Sequence, residues 1–241
     1  MRAELLKIRS MPTPRWCLLA VAVAALLGIA ITWRWGLGSE LEAVDLAIGF
    51  PAAIASIVFG VWLFGVEYGQ NTLRRALTAD PRRFRLFLAK LVVGLLLVAL
   101  ATVAIHLVAF PVYDIAADRH GESVGIAEYR DLVLTALIGN LVYMVVGASL
   151  ALITASMAGG VTAALVFIFI FDIVFGAIPG VGDFGLGVAL ADVVDSIRGT
   201  GSSVGDFDTG HSTATAAGIL AAWVFGLAAL GWLRLWRSEV K

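Results

Sequence analysis

Six apolar stretches, each close to the length a helix needs to cross a bilayer, leave this chain few folds to adopt. They run over 16–33, 46–66, 91–113, 132–154, 158–178 and 214–233. A spanning helix takes about 20 mostly apolar residues at 1.5 Å each. Charge usage agrees: 15% of the residues are charged and the mean hydropathy is +0.94, against about 25% charged in soluble domains. The fold class expected is all-α, a polytopic membrane protein of six transmembrane helices forming a single domain over 1–241. The first stretch follows Arg15 as a signal peptide would. It has no small-residue cleavage site, however, and continues into Trp33, Arg34 and Trp35, an interfacial aromatic anchor.

Orientation follows from the basic residues. With the N-terminus inside, the inner side collects Arg2, Lys7, Arg9, Arg15, Arg74, Arg75, Arg82, Arg83, Arg85, Lys90, Arg234, Arg237 and Lys241. The outer side holds only Arg34, Arg119, Arg130 and Arg198. Cytoplasmic loops carry the excess of Lys and Arg, so both termini are expected in the cytoplasm. The formal net charge of −1 says little about partners, because the charges are sorted by side. No nucleic-acid partner is expected.

Residues 1–15 read as a short amphipathic interfacial helix, with Met1, Leu5 and Ile8 on one face and Pro12 and Pro14 ending it. Outside, 114–131 is a loop with Asp114, Asp118, Glu122, Glu128 and Asp131. The longer connection over 179–213 repeats Leu186, Leu190, Val193 and Ile197 at helical spacing. It is expected to fold back as an amphipathic helix capped by Asp183, followed by a polar turn over 199–213. About three residues separate the fourth and fifth spans, a tight inner hairpin.

The chain's chemistry is sparse. The common phosphate loop needs Gly-x-x-x-x-Gly-Lys-Ser/Thr, and none of Lys7, Lys90 or Lys241 follows a glycine. His106, His120 and His211 are scattered, without zinc-ligand spacing. The single cysteine, Cys17, excludes an internal disulfide and reads as a small apolar residue. Gly121 to Gly125 carries a Gly-x-Ser-x-Gly string, but without the strand–turn–helix setting a nucleophile elbow requires. No catalytic residue, cofactor or metal is therefore expected in this chain. Asp172 is the one acid well inside a span, where a charge is costly and faces protein or water. It has two readings, a polar point on a substrate path or outer gate, or a structural hydrogen bond. Asn140 has the same two, with interhelical bonding the stronger. Small-residue stripes, Ala20, Ala24 and Gly28 in the first span and Ala214, Gly218, Ala222 and Gly226 in the sixth, would permit close helix contact.

The most organised polar segment is the island from Glu67 to Lys90. Its first half places Leu73, Ala76 and Leu77 on one helical edge with Arg74 and Arg75 opposite. Asp80 and Pro81 then restart the chain, as N-cap and first helical residue, into a helix through Phe84 and Phe87. Its arginines also suit a simpler task, anchoring to an anionic inner leaflet at about 1 kcal/mol each.

The order Glu67, Tyr68, Asn71, Thr72, Leu73, Arg74, Leu77, Pro81, Arg83 and Lys90 resembles the cytoplasmic loop of type-2 ATP-binding-cassette (ABC) permeases of bacterial exporters. Asn71 stands where glycine is usual and Arg82 where a small residue is common; both keep the helix–break–helix plan. The opening from Glu4 to Arg9, six spans and a folded-back outer segment are also typical. The resemblance implies a half-transporter in the bacterial cytoplasmic membrane. It would form the pathway with a second copy or a paralogue and couple to separate cytoplasmic ATPase subunits, which would hold the ATP and magnesium. Glu67, Tyr68, Thr72, Leu73, Arg74, Arg75, Leu77, Pro81 and Arg83 would form the coupling surface. A small amphipathic or lipid-like cargo is expected. The rival readings are a non-transporting immunity or sensor protein that acts by binding and, ranked last, an intramembrane enzyme, for which one buried acid with no nearby His, Ser or paired carboxylate offers no mechanism.

Overall fold

The computed structural model describes Leu19, Ala22, Val23, Leu26 and Ala30, and then residues 48–70, 82–118, 125–178, 180–199 and 211–237. Among these the chain is helical, with no strand. The interfacial helix expected over 1–15, most of the first span and residues 71–81 of the island lie outside the described residues.

Five helices are long and apolar enough to cross a membrane. The first, α1, is Phe50–Gly69, preceded directly by the π-helical residues Ile48 and Gly49. The second, α2, is Arg83–Asp118, with its apolar part ending at Pro111. Asp114 and Asp118, expected in a loop, thus stand on the last turns of α2. The third, α3, is Ile126–Thr154, and the Gly125 carbonyl accepts from the Tyr129 amide at its start (2.9 Å).

Ala155 and Ser156 alone join α3 to α4, Met157–Val166. Ala155 has φ +49°, the left-handed conformation that ends helices. Ser156 is extended at φ −152°, and its hydroxyl accepts from the Gly159 amide, the N-cap arrangement. Helix α4 passes through one π-helical turn, Phe167–Phe171, into α5, Asp172–Gly176. Together Met157–Gly176 make the fourth apolar crossing.

A 3-10 turn, Gly182–Phe184, leads to α6, Leu186–Arg198, and Gly199 (φ +65°) ends it. Helix α6 packs against α7, Thr213–Arg237, and buries Leu186, Ala189, Leu190 and Val193. The amphipathic helix is where its spacing placed it, but Asp183 is not its cap. Gly185 holds that position with no side-chain bond, and Asp183 belongs to the 3-10 turn. Gly182 is required here, since a Cβ would land on the Gly176 carbonyl, 2.9 Å from Gly176 Cα. Helix α7, the fifth crossing, starts at Ser212, whose Oγ accepts from the Thr215 amide (3.3 Å).

Contacts gather into two units, one within Met1–Gly60 and Phe87–Met144 and the other within Val61–Leu86 and Val145–Lys241. In the first, Ile48, Ala109, Tyr129 and Leu132 form a buried cluster edged by Ile105, Phe110 and Val133. In the second, α1 and α4 approach closely. A Cβ on Gly65 would lie 2.9 Å from Met157 Cα, and one on Gly160 would lie 2.9 Å from both Val61 Cγ1 and Ala151 Cα. Backbones meet this closely only across glycine, the usual device where both helices are apolar and packing alone must hold them.

Candidate functional site

The polar residues that the sequence singles out fall at three places. The first is the edge of the island. Glu67 and Tyr68 stand on the last turn of α1, and Arg82 and Arg83 open α2. Glu67 is buried, and so is Lys90, one to two turns into α2; both engage in polar interactions. Arg83 reaches across to the end of α7, donating from Nη1 to the Leu235 carbonyl (2.9 Å) and the Trp236 carbonyl (2.7 Å). The last four carbonyls of a helix have no intrahelical donor and carry the negative end of its dipole, so a guanidinium there is a C-cap supplied by another helix. Phe84 adds an edge-to-face contact with Trp232, 5.3 Å between ring centres.

Tyr68 completes this corner. Its hydroxyl is shielded from solvent without a hydrogen-bond partner, a situation that costs about 1–3 kcal/mol. The positive fields of Arg234 and Arg83 both reach it. Of the expected coupling residues, Tyr68 and Arg83 thus interact through their fields, and Arg234, outside that set, does so as well. Asn71, Thr72, Leu73, Arg74, Arg75, Leu77 and Pro81 lie outside the described residues.

Replacing Arg83 by Gln removes the charge and one fork of donors while keeping a polar stem. Hydrogen bonds to charged groups contribute about 1.5–3 kcal/mol, and partial exposure reduces this to about 1–2 kcal/mol here. The last turn of α7 should fray, and amide exchange over Leu233 to Arg237 should accelerate on the order of tenfold by mass spectrometry. Unchanged exchange there would rule out the cap.

The second place is a polar seam inside the first unit. Thr102 on α2 serves two partners: its carbonyl accepts from His106 Nδ1 (2.8 Å), and its hydroxyl accepts from the Asn140 amide on α3 (3.0 Å). A carbonyl only accepts, so His106 carries its proton on Nδ1. Tyr129 donates to the His106 carbonyl (2.8 Å), with its ring against Phe110 at 4.6 Å. All of these residues are buried except Phe110, which is half-buried. Asn140 is therefore used, at least in one amide proton, to bond α3 to α2. Reading the residues one by one did not join it to His106 and Thr102. The signal was the pairing of polar side chains at similar depths in consecutive spans.

The third place is the C-terminal end of the fourth crossing. Asp172 opens α5 directly after the π-helical turn; its side chain is outside the described set. Phe167, Phe171 and Phe175 stack in sequence at 5.1 and 5.4 Å, and Trp223 of α7 sets its edge against all three at 5.8–6.2 Å. Trp223 Nε1 also donates to the Phe184 carbonyl (2.8 Å), tying α7 to the 3-10 turn. Nothing in the apolar run from Phe167 to Phe175 announces this arrangement. Among the described residues no three His, Cys, Asp or Glu side chains gather as a metal site would need.

These features define the class: an all-helical, multi-pass membrane protein. No protein-family model, curated protein or solved structure matches the chain.

Proposed function

We propose that this chain is the transmembrane subunit of an ATP-driven exporter of the type-2 ABC kind. Two copies, or one copy and a paralogue, would line the pathway, and a separate cytoplasmic ATPase would act on residues 67–90. The observation that carries this reading is the residue order of that island, Glu67–Tyr68, Asn71–Thr72–Leu73–Arg74, Leu77, Pro81 and Arg83, set between two apolar helices. The described structure supports it in one respect. The Arg83 cap joins the start of α2 to the end of α7, and four apolar crossings lie between those points. An even number of crossings returns the chain to the side it left. The island and the terminal arginines Arg234 and Arg237 then share one face, which the positive-inside rule makes cytoplasmic. In the proposed cycle, closure of the ATPase dimer displaces the island, and the cap carries that displacement to α7 as well as α2. The bacterial cytoplasmic membrane is the setting, and Asp172 and Asn140 are candidate pathway or gate positions.

The test is retention of a partner. Captured through an affinity tag in mild detergent from its native host membranes, the chain should retain a stoichiometric soluble subunit with a Gly-x-x-x-x-Gly-Lys-Ser/Thr loop and measurable ATP hydrolysis. Recovery of the chain without any nucleotide-hydrolysing subunit would favour the immunity or sensor reading.

A further inference from the structure

The corner where α1 ends, α2 begins and α7 ends has the chemistry of a receptor for a phosphate monoanion at a membrane surface. Three observations converge on it. The Tyr68 hydroxyl is shielded and unpartnered, and a phenol donates well to an anionic oxygen. Arg83 and Arg234 both act on that hydroxyl electrostatically. The described helices that lead to it are acid-free: neither 82–111 nor α7 contains an Asp or Glu, while Asp80 and Glu239 lie outside the described residues. The neighbouring acid in sequence, Glu67, is buried and already engaged.

What surrounds the corner distinguishes a lipid from a soluble phosphate. On α7, residues four apart share a face. Exposed Leu230 precedes exposed Arg234 by one turn, and exposed Leu233 precedes exposed Arg237. Exposed Phe84 adjoins Arg83 in sequence and exposed Trp236 supplies one of its carbonyl acceptors, as aromatic residues flank charges in the interfacial belt. An apolar surface running directly into guanidinium groups matches an acyl chain running into its headgroup. A free phosphate has no use for the apolar part.

We propose that Tyr68, Arg83 and Arg234 form a specific seat for the headgroup phosphate of an anionic phospholipid of the leaflet facing the island. Arg83 is held in place by the α7 carbonyls, so it contributes a fixed positive field. Arg234, on an exposed stem, swings onto the phosphate and opens the Tyr68 hydroxyl to one of its oxygens. The seat is independent of whether the chain transports anything. It differs from general attraction to an anionic leaflet in requiring an uncharged group, the phenol.

The experiment is native mass spectrometry of the full chain, delipidated in detergent and titrated with phosphatidylglycerol, with phosphatidylcholine or with soluble glycerol phosphate. Phosphatidylglycerol should be retained in preference to both. Arg234→Gln should weaken retention about fivefold, the factor for one arginine at an anionic surface, and Arg234→Lys should restore part of it. Tyr68→Phe, which preserves the ring and the fold, should weaken it about threefold or more. Arg85→Gln, an exposed arginine outside the seat, should have the smallest effect. Three results would overturn the proposal: unchanged retention in Tyr68→Phe, equal losses in Arg85→Gln and Arg234→Gln, or displacement of the lipid by equimolar glycerol phosphate.

Discussion

Leucine at Gly160 should lower stability by about 3 kcal/mol and the thermal midpoint in a fixed detergent by roughly 6–12 °C for a chain of this size. The first added carbon alone would sit 2.9 Å from Ala151 Cα and from Val61 Cγ1. One of those atoms is backbone of α3, and a side-chain rotation cannot move it. The other belongs to α1 one turn before Gly65, whose own Cβ would meet Met157 Cα of α4 at 2.9 Å. Separating α4 from Gly160 to make room therefore also disturbs the contact at Gly65. Close packing of this kind transmits a misfit instead of absorbing it. The same substitution at Gly226, on α7, should be neutral or slightly stabilising. Nothing lies within 4 Å of a Cβ there, and glycine in a helix interior gives up about 1 kcal/mol of helix propensity. Equal midpoints for Gly160→Leu and the wild type would show that the helices are not held at this distance.

That pair of glycines also illustrates what a sequence of this type conveys. Spans are legible because the bilayer imposes a length and excludes charge, so 132–154 and 158–178 anticipate α3 and the α4–α5 crossing closely. Helix ends are less so. Hydropathy stops at the first charges, whereas backbone hydrogen bonding continues, which is why α2 starts at Arg83 and passes Pro111 to reach Asp118. A small-residue stripe points to close packing only where a partner helix is present. A Cβ on Gly218 or Gly226, in the stripe of the sixth span, would meet no described atom of another element within 4 Å, while Gly160 and Gly65, outside that stripe, carry the tight contact. The Arg83 cap joins positions 152 and 153 residues apart, and no local pattern encodes such a separation. By contrast, Leu186, Leu190 and Val193 were legible because α6 is amphipathic and buries one face. Its cap was not, since Gly185 holds the N-cap position with no side-chain bond.

On the proposed exporter reading, replacing both Leu73 and Arg74 by Asp should reduce substrate-stimulated ATP hydrolysis on the order of thirtyfold, the factor for about 2 kcal/mol at a central interface position. The sequence places Leu73 on the apolar edge of the island's first helix with Ala76 and Leu77, and Arg74 on the opposite side with Arg75. An ATPase cleft that grips this helix would bury the leucine and pair with the arginine. Two aspartates then put one carboxylate into an apolar pocket and present another where a positive charge was needed, and both changes act against the bound state. The spans should be unaffected, because the substitutions fall in a polar connection between α1 and α2. An unchanged thermal midpoint and unchanged phosphatidylglycerol retention would separate lost coupling from lost folding and from a damaged headgroup seat. Anchoring to the leaflet alone predicts a different pattern, in which Leu73→Asp is silent and any loss follows the removed positive charge. Normal coupled turnover in the double variant would overturn the proposed coupling role of the island.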